Sequence, residues 1–292
     1  MIPRGHIQQW AAVAPWPDLR QVEQDLIISR ALCDLFADEF LRDKIAFRGG
    51  TAIHKLMLPR PLRYSEDIDL VQTRAEPIGP VIDRVTRVLS WLGRCKRSQS
   101  QHSTTLVFRF TPEESPGESL RLKIEINTRE HGSRNGLCGY AFEMVNDWHR
   151  ARVAIMSFDR EELLGTKLRA LLQRNKNRDL FDLHEALLLP GIDHGCLIDC
   201  FEYYLEIEGR PITRAVAEER MLKKLSKSLA EDVVPLLPAG TTFDEPTAIV
   251  AFGRIWQELI SKLPGEPWKS SRAAIAEIRA TKIPTLLDGV VD

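Results

Sequence analysis

The stretch "FRGGTAIHKLMLPRPLRYSEDIDLV", residues 47–71, sets a glycine pair before a helix-like run and then places Asp67 and Asp69 either side of Ile68. Side chains at i and i+2 of a strand point the same way, so the two aspartates share one face while Ile68 and Leu70 take the other. Like charges that close repel, and a cation or a donor between them relieves the repulsion. Two carboxylates on one face of an apolar strand ask for a metal ion.

Upstream, Ile28, Leu32, Leu35, Phe36 and Phe40 recur at helical spacing, and "KIAF" reads as a short buried strand ending at Gly49-Gly50. "TAIHKLML" predicts a short helix stopped by Pro59 and Pro61, because the residue before a proline is pushed out of the helical region. Downstream of the acids comes an amphipathic helix carrying Ile78, Val81, Ile82, Val85, Val88, Leu89 and Leu92. "TTLVFRF" and "LRLKIEIN" follow as strands separated by the turn-rich "TPEESPGES", with "YAFEMV" and "ARVAIM" as further strands. Beyond about residue 158 helical periodicity takes over. The expectation is an α+β protein: a mixed or antiparallel sheet with helices over residues 1–158, then a helical domain over 159–292.

The 292 residues, 43% hydrophobic and 28% charged, are those of a soluble globular protein and exclude disorder as a dominant state. No run of eighteen apolar residues is present, and the N-terminal "MIPRGHIQQWAAVAPWPDLR" lacks the apolar core of a secretory signal, so a cytoplasmic location without membrane contact is expected. Cys33, Cys95, Cys138, Cys196 and Cys200 are odd in number and scattered, which suits reduced thiols. With 40 Lys plus Arg against 41 Asp plus Glu, a nucleic-acid partner would have to be met by a local basic patch.

In "LRLKIEIN", Leu122, Ile124 and Ile126 face one way and Lys123, Glu125 and Asn127 the other. If this strand lies beside the one bearing Asp67 and Asp69, Glu125 becomes a third converging acid. Hard divalent cations take oxygen ligands, and shared carboxylates holding magnesium are the usual apparatus for in-line displacement at phosphate. The plain alternative is a solvated glutamate on an open sheet face. Gly49-Gly50-Thr51, between a strand and a helix, would let backbone N–H groups approach a phosphate. Together these pieces resemble the nucleotidyltransferase core of the DNA polymerase beta type.

Past the change of texture, "SFDREELLGTKLRALLQRNKNRDLFDLHEALLL" opens with Asp159 as N-cap and Glu162 in capping-box position, and lines Leu164, Leu168, Leu171 and Leu172 along one helical face. Lys167 and Arg174 lie on one side of that helix, and Asp179 and Asp182 project together from the next. Taken singly these charges read as a solvated face. The series "GGTA...SEDIDL...IEIN...ELLGTKLRALLQR...RDLFDL", however, resembles the AbiEii/AbiGii toxin family of nucleotidyltransferases over roughly residues 44–188.

The resemblance implies that Asp67 and Asp69 carry Mg2+ or Mn2+, with Glu125 as third acid and base for an incoming hydroxyl. It implies that Gly49, Gly50, Thr51 and Lys55 hold the triphosphate of an NTP and that Lys167 neutralises it as pyrophosphate leaves. Asp182 matches the family's essential aspartate, with Asp179 as the competing assignment. The acceptor it implies is RNA, chiefly the 3′ end of tRNA, with translation blocked as the outcome and a cognate antitoxin encoded nearby. Because Lys167 and Asp182 belong to the second domain, the expected active site lies in a cleft between the two. One departure is that Gly50 stands where related enzymes often have serine, leaving Thr51 as the hydroxyl of the turn.

Three other readings compete. "DIDLV" also looks like the aspartate motif of haloacid-dehalogenase-type phosphatases, but here the acids open the strand instead of ending it. A small-molecule nucleotidyltransferase of the antibiotic-modifying kind shares the acid pair, and a non-catalytic nucleotide- or RNA-binding regulator would keep only the fold. "HGCLIDC" offers His194, Cys196 and Cys200 without a second ligand pair, so core thiols are expected there. "RMLKKLSKSL", with Leu222, Leu225 and Leu229 spaced for burial, reads as a basic helix whose other face either is solvated or meets RNA phosphates, and the six tryptophans are too dispersed to suggest a base-stacking platform.

Overall fold

The computed structural model describes residues 2–113, 115 and 117–288, which divide into two compact units. The first comprises the chain to Asp159 together with Leu236–Gly240, the latter joined through the Tyr64 N–H, which donates to the Leu236 carbonyl (2.7 Å). The second comprises Arg160–Pro235 and the chain from Thr241 onward.

The first unit is built on a mixed seven-stranded sheet: β1 (Ile45–Arg48), β2 (Asp67–Gln72), β3 (Cys95–Gln99), β4 (Ser103–Phe110), β5 (Leu120–Asn127), β6 (Leu137–Asn146) and β7 (His149–Phe158). Their spatial order is β3-β4-β5-β2-β1-β7-β6. β2 runs antiparallel to β1 and parallel to β5, so the acid-bearing strands are direct neighbours. β3 was not anticipated: four of its five residues are exposed, and an edge strand of Lys, Arg, Ser and Gln carries no apolar alternation.

Helix Leu19–Ala37 packs against β5, β6 and β7. It buries Ile28, Leu32, Leu35 and Phe36 as their spacing predicts. Phe40 departs from the expected pattern because Asp38 ends this helix and caps the short helix Glu39–Arg42, leaving Phe40 37% exposed. The segment after β1 is a single α-turn, Gly49–Ala52, continued by a π-helical stretch, Ile53–Met57, before the prolines.

In the second unit, helices Arg160–Gln173 and His194–Glu208 pack so closely that a Cβ on Gly165 would sit 2.9 Å from the Leu197 carbonyl oxygen and the Phe201 nitrogen. The Tyr204 hydroxyl donates to Glu162 across the same contact (2.6 Å), satisfying a buried carboxylate. Helices Arg178–Leu187, Arg214–Lys224, Glu245–Glu258 and Ser271–Thr281 complete it. No helix among the described residues is long and apolar enough to cross a membrane.

Candidate active site

The parallel register of β2 and β5 places Asp67 beside Lys123 and Asp69 beside Glu125, while β1 sets Arg48 against Asp69 on the other flank. Register partners share a face, so these groups project together while Ile68, Leu70, Leu122, Ile124 and Ile126 are buried on the opposite side. The third acid therefore stands next to the pair.

Its oxygens, however, are already engaged. Lys123 Nζ donates to Glu125 Oε2 (2.6 Å) and Ser103 Oγ donates to Oε1 (3.0 Å). Burial works to raise the Glu125 pKa, but the Lys123 hydrogen bond and charge, helped by Ser103 and Arg48, outweigh it and hold the carboxyl below the usual glutamate range. Asp69 behaves oppositely. Burial raises its pKa, Asp67 and Glu125 add to the rise, and Arg48 and Lys123 only partly oppose it. With burial opposing the ionisation of Asp69 and only oxygen donors in the Asp67 and Asp69 side chains, this end of the strand fits a hard divalent cation. Among the described residues no group of three or more His, Cys, Asp or Glu side chains is gathered to hold one, and Glu125 accepts from Lys123 and Ser103.

Gly49 has φ +83°, a conformation that L side chains rarely adopt, and its backbone backs directly onto Asp69. Thr51 is buried, and its hydroxyl donates to the Asp67 carbonyl (2.6 Å) while lying 2.6 Å from Ser65 Oγ, which ties the glycine turn to the start of β2. Lys55 reaches away to Asp25 (3.0 Å) and Ser29 (3.0 Å), and Trp10 Nε1 also donates to Asp25, so this lysine is part of a buried polar contact beneath the helices. Gly50 lies inside the α-turn. Lys123, Arg48 and Ser103 were not singled out as site residues from the sequence. The signal for Lys123 was its position two residues before Glu125 on the same face.

In the second unit, Lys167 is buried and ion-paired to both Asp179 (3.1 Å) and Asp182 (2.9 Å). Arg174 adds two contacts to Asp179 (2.6 and 2.7 Å). Burial alone would raise the Asp179 pKa, but Lys167 and Arg174 together bring it below the usual aspartate range. The solvated-face reading of these four charges thus fails for Lys167, Asp179 and Asp182. Lys224 of the basic helix is buried too and donates to the Arg174 carbonyl (2.9 Å), while Leu222, Leu225 and Leu229 are in the core. Cys200 is buried and Cys196 partly so, and neither is joined in a disulfide among the described residues.

A cavity of about 420 Å³ opens in the first unit near Trp91, Trp148, Phe110 and Ile27. It lies on the apolar side of the sheet: Phe108 pairs with Leu122 and Phe110 with Leu120, whereas Thr105 pairs with Glu125. The two tryptophans do meet, at 5.7 Å, but around Arg30, whose guanidinium lies 4.1 and 4.4 Å from their rings. Their faces are taken by a resident cation.

The fold is that of known nucleotidyltransferases. MenT4, a nucleotidyltransferase toxin from Mycobacterium tuberculosis, superposes with a TM-score of 0.64 at 16% identity, covering 100% of both chains. JHP933 from Helicobacter pylori gives 0.51 at 19% identity over 89% of this chain and 97% of its own. No curated protein matches the sequence. The family model described as "Nucleotidyl transferase AbiEii toxin, Type IV TA system" matches residues 30–256, well over half of the chain, and the protein therefore belongs to the AbiEii nucleotidyltransferase toxins of type IV toxin–antitoxin systems.

Proposed function

We propose that this toxin transfers a nucleoside monophosphate from an NTP to the 3′ end of tRNA in the cytoplasm and thereby blocks translation, with a cognate antitoxin opposing it. The observation that supports this most directly is the placing of Asp67 and Asp69 beside Glu125 under the Gly49 turn. Asp67 and Asp69 would hold Mg2+ or Mn2+, which when bound supplies Lewis-acid stabilisation of charge at phosphorus. In the transfer, the acceptor hydroxyl oxygen bonds to the α-phosphorus as the bond from that phosphorus to the bridging oxygen breaks. Pyrophosphate departs and the hydroxyl proton passes to a base. Glu125 can serve as that base only if Lys123 moves, since a carboxylate held low by a lysine is a poor proton acceptor.

The turn at Gly49 and Gly50 offers backbone N–H groups to phosphate oxygens. Lys167 and Asp182 take the roles that family membership suggests, Lys167 against the charge of departing pyrophosphate and Asp182 as the acid paired with it. Thr51 and Lys55, engaged in buried contacts, act through the shape of the turn and the helix behind it.

The test is incubation of the purified chain with each labelled NTP and total RNA, with and without EDTA. Label should enter RNA of tRNA size with one or more NTPs, and EDTA, Asp67→Asn or Asp69→Asn should abolish it. Failure of every NTP to label RNA would sink the proposal, and label appearing only in added small-molecule acceptors would favour an antibiotic-type transferase.

A further inference from the structure

We infer that Lys96, Arg109 and Arg121 form a track along which the phosphate backbone of the acceptor RNA approaches Asp67 and Asp69. This rests on the proposed transfer to RNA and deepens it by naming where the acceptor is held and by which residues.

Register puts the three cations on the face that bears the acids. Arg121 lies on β5 with Lys123 and Glu125, Arg109 is its partner on β4, and Lys96 of β3 pairs with Val107, two residues before Arg109. All three are exposed, and among the described residues none of them has an ion-pair partner. Arg97, next to Lys96, takes the other face and is tied to Asp83 (2.9 Å). Among the described residues the acid on this face of β3, β4 and β5 is Glu125, which Lys123 meets, and Glu118 in the turn joining β4 to β5 is paired with Arg20. Charge of one sign left unneutralised on an open sheet face suits a polyanion. The cations share that face with Ser98, Thr105 and Val107, and no large apolar side chain is exposed on these strands among the described residues. A protein partner would find no apolar anchor there.

The direction of attack selects this flank. In an in-line displacement the acceptor oxygen enters opposite the departing pyrophosphate. The Gly49 turn, which would hold the triphosphate, follows β1 on one side of β2, whereas β5, β4 and β3 extend on the other. Arg121 precedes Glu125 by four residues, roughly 13 Å along the strand. At that distance the cations meet the chain leading to the 3′ hydroxyl and not the reacting phosphate. Arginine suits the task because its planar fork can meet two phosphate oxygens at once.

The test is equilibrium binding of deacylated bulk tRNA to the full-length chain without NTP, by fluorescence anisotropy over a range of KCl concentrations, alongside transfer kinetics. The variants are Lys96→Gln, Arg109→Gln and Arg121→Gln, singly and combined. Arg87→Gln/Lys269→Gln/Arg272→Gln, which removes the same charge from exposed residues elsewhere, is the control, and thermal melting shows that each protein is folded. At moderate salt each lost phosphate contact should weaken binding roughly fivefold and the combined variant should weaken it on the order of a hundredfold, with the slope of log affinity against log salt shallower by about 2. In transfer the combined variant should raise the KM for RNA and leave that for NTP unchanged, and the control should bind like the parent. The single variants decide the matter if the combined one does not fold. Parent-like affinity in the stripe variants, or no binding of tRNA by the parent, would overturn the inference and turn the stripe over to an acidic protein partner. An equal loss in the control would overturn it in favour of overall charge. Label entering no RNA, even from a parent that binds tRNA through the stripe, would remove the proposed transfer and the inference with it.

Discussion

The Cβ that Gly49 lacks would lie 2.3 Å from Oδ2 of Asp69. The glycine is therefore fixed by two independent demands: its positive φ and the carboxylate pressed against its backbone. Gly49→Ala should cost at least about 1–2 kcal/mol from the left-handed conformation alone. Either the turn or Asp69 must then shift, and a displaced metal-binding acid removes transfer activity. Melting and transfer assays on Gly49→Ala check this; parent-like activity would mean that the Asp69 carboxylate can be moved without consequence.

Asp69 is also the acid whose ionisation the fold opposes. Its pKa in the folded chain is raised above 3.8 by burial and by Asp67 and Glu125. Between 3.8 and the raised value the folded chain keeps a proton that the unfolded chain has released, so this group favours folding at low pH and its contribution is lost as pH rises through the folded pKa. At neutral pH the ionised Asp69 is thus a cost in the metal-free chain. Asp69→Asn should stabilise that chain by about 1 kcal/mol at pH 7, with the gain shrinking towards pH 4, while abolishing transfer. Urea unfolding at the two pH values measures it, and a destabilised Asp69→Asn at pH 7 would contradict the electrostatic reading.

Lys167 carries a different prediction. Its ammonium is shared by Asp179 and Asp182 in a buried cluster, so Lys167→Ala should lower stability by about 3–5 kcal/mol in addition to any loss of transfer. Lys167→Arg keeps the charge but not the compact geometry and should recover part of both. Activity is to be compared at a temperature where each variant is folded by circular dichroism. A Lys167→Ala protein with the parent's melting temperature would show that the cluster contributes little to the fold.

Much of this was legible in the sequence. The alternation in "DIDLV" and "LRLKIEIN" put the acids on one face, and the β2–β5 pairing that brings Glu125 to them was stated as a condition that the register meets. What escaped shares one cause: pairing between residues distant in sequence. Ser103 reaches Glu125 from another strand, Arg30 is held between Trp91 and Trp148, and β3 is a polar edge whose partner alone defines it. The pairing of Lys167 with Asp179 and Asp182 escaped too, because helical spacing cannot show that the next helix returns two aspartates to it.

Gly165 likewise gave no signal beyond being a glycine in a helix. Ala in its place gains about 1 kcal/mol of helix propensity. Against this, the new methyl group would lie 2.9 Å from Cys200 Cβ, the Leu197 carbonyl oxygen and the Phe201 nitrogen, two of which are backbone atoms that cannot swing aside. Overpacking of that kind costs about 1–3 kcal/mol, so Gly165→Ala should be net destabilising. A raised melting temperature would show that the two helices can separate freely.

His184, in the second unit, supplies a pH dependence of its own. It is 8% exposed, Nδ1 has no hydrogen-bond partner among the described residues, and burial, reinforced by Arg254, lowers its pKa from 6.5 to about 4. Between those values the unfolded chain takes up a proton that the folded chain refuses, so stability is full above pH 6.5 and falls as the pH drops towards 4. The loss approaches about 3 kcal/mol at the lower end. His184→Met is apolar, close in size and free of the titration. It should unfold like the parent at pH 7 and be more stable at pH 4.5 by about 2–3 kcal/mol, the difference isolating this residue from all other titrating groups. Urea unfolding of the two proteins at pH 7 and 4.5 gives the answer, and an equal loss of stability in both on acidification would show that His184 takes up its proton in the folded chain.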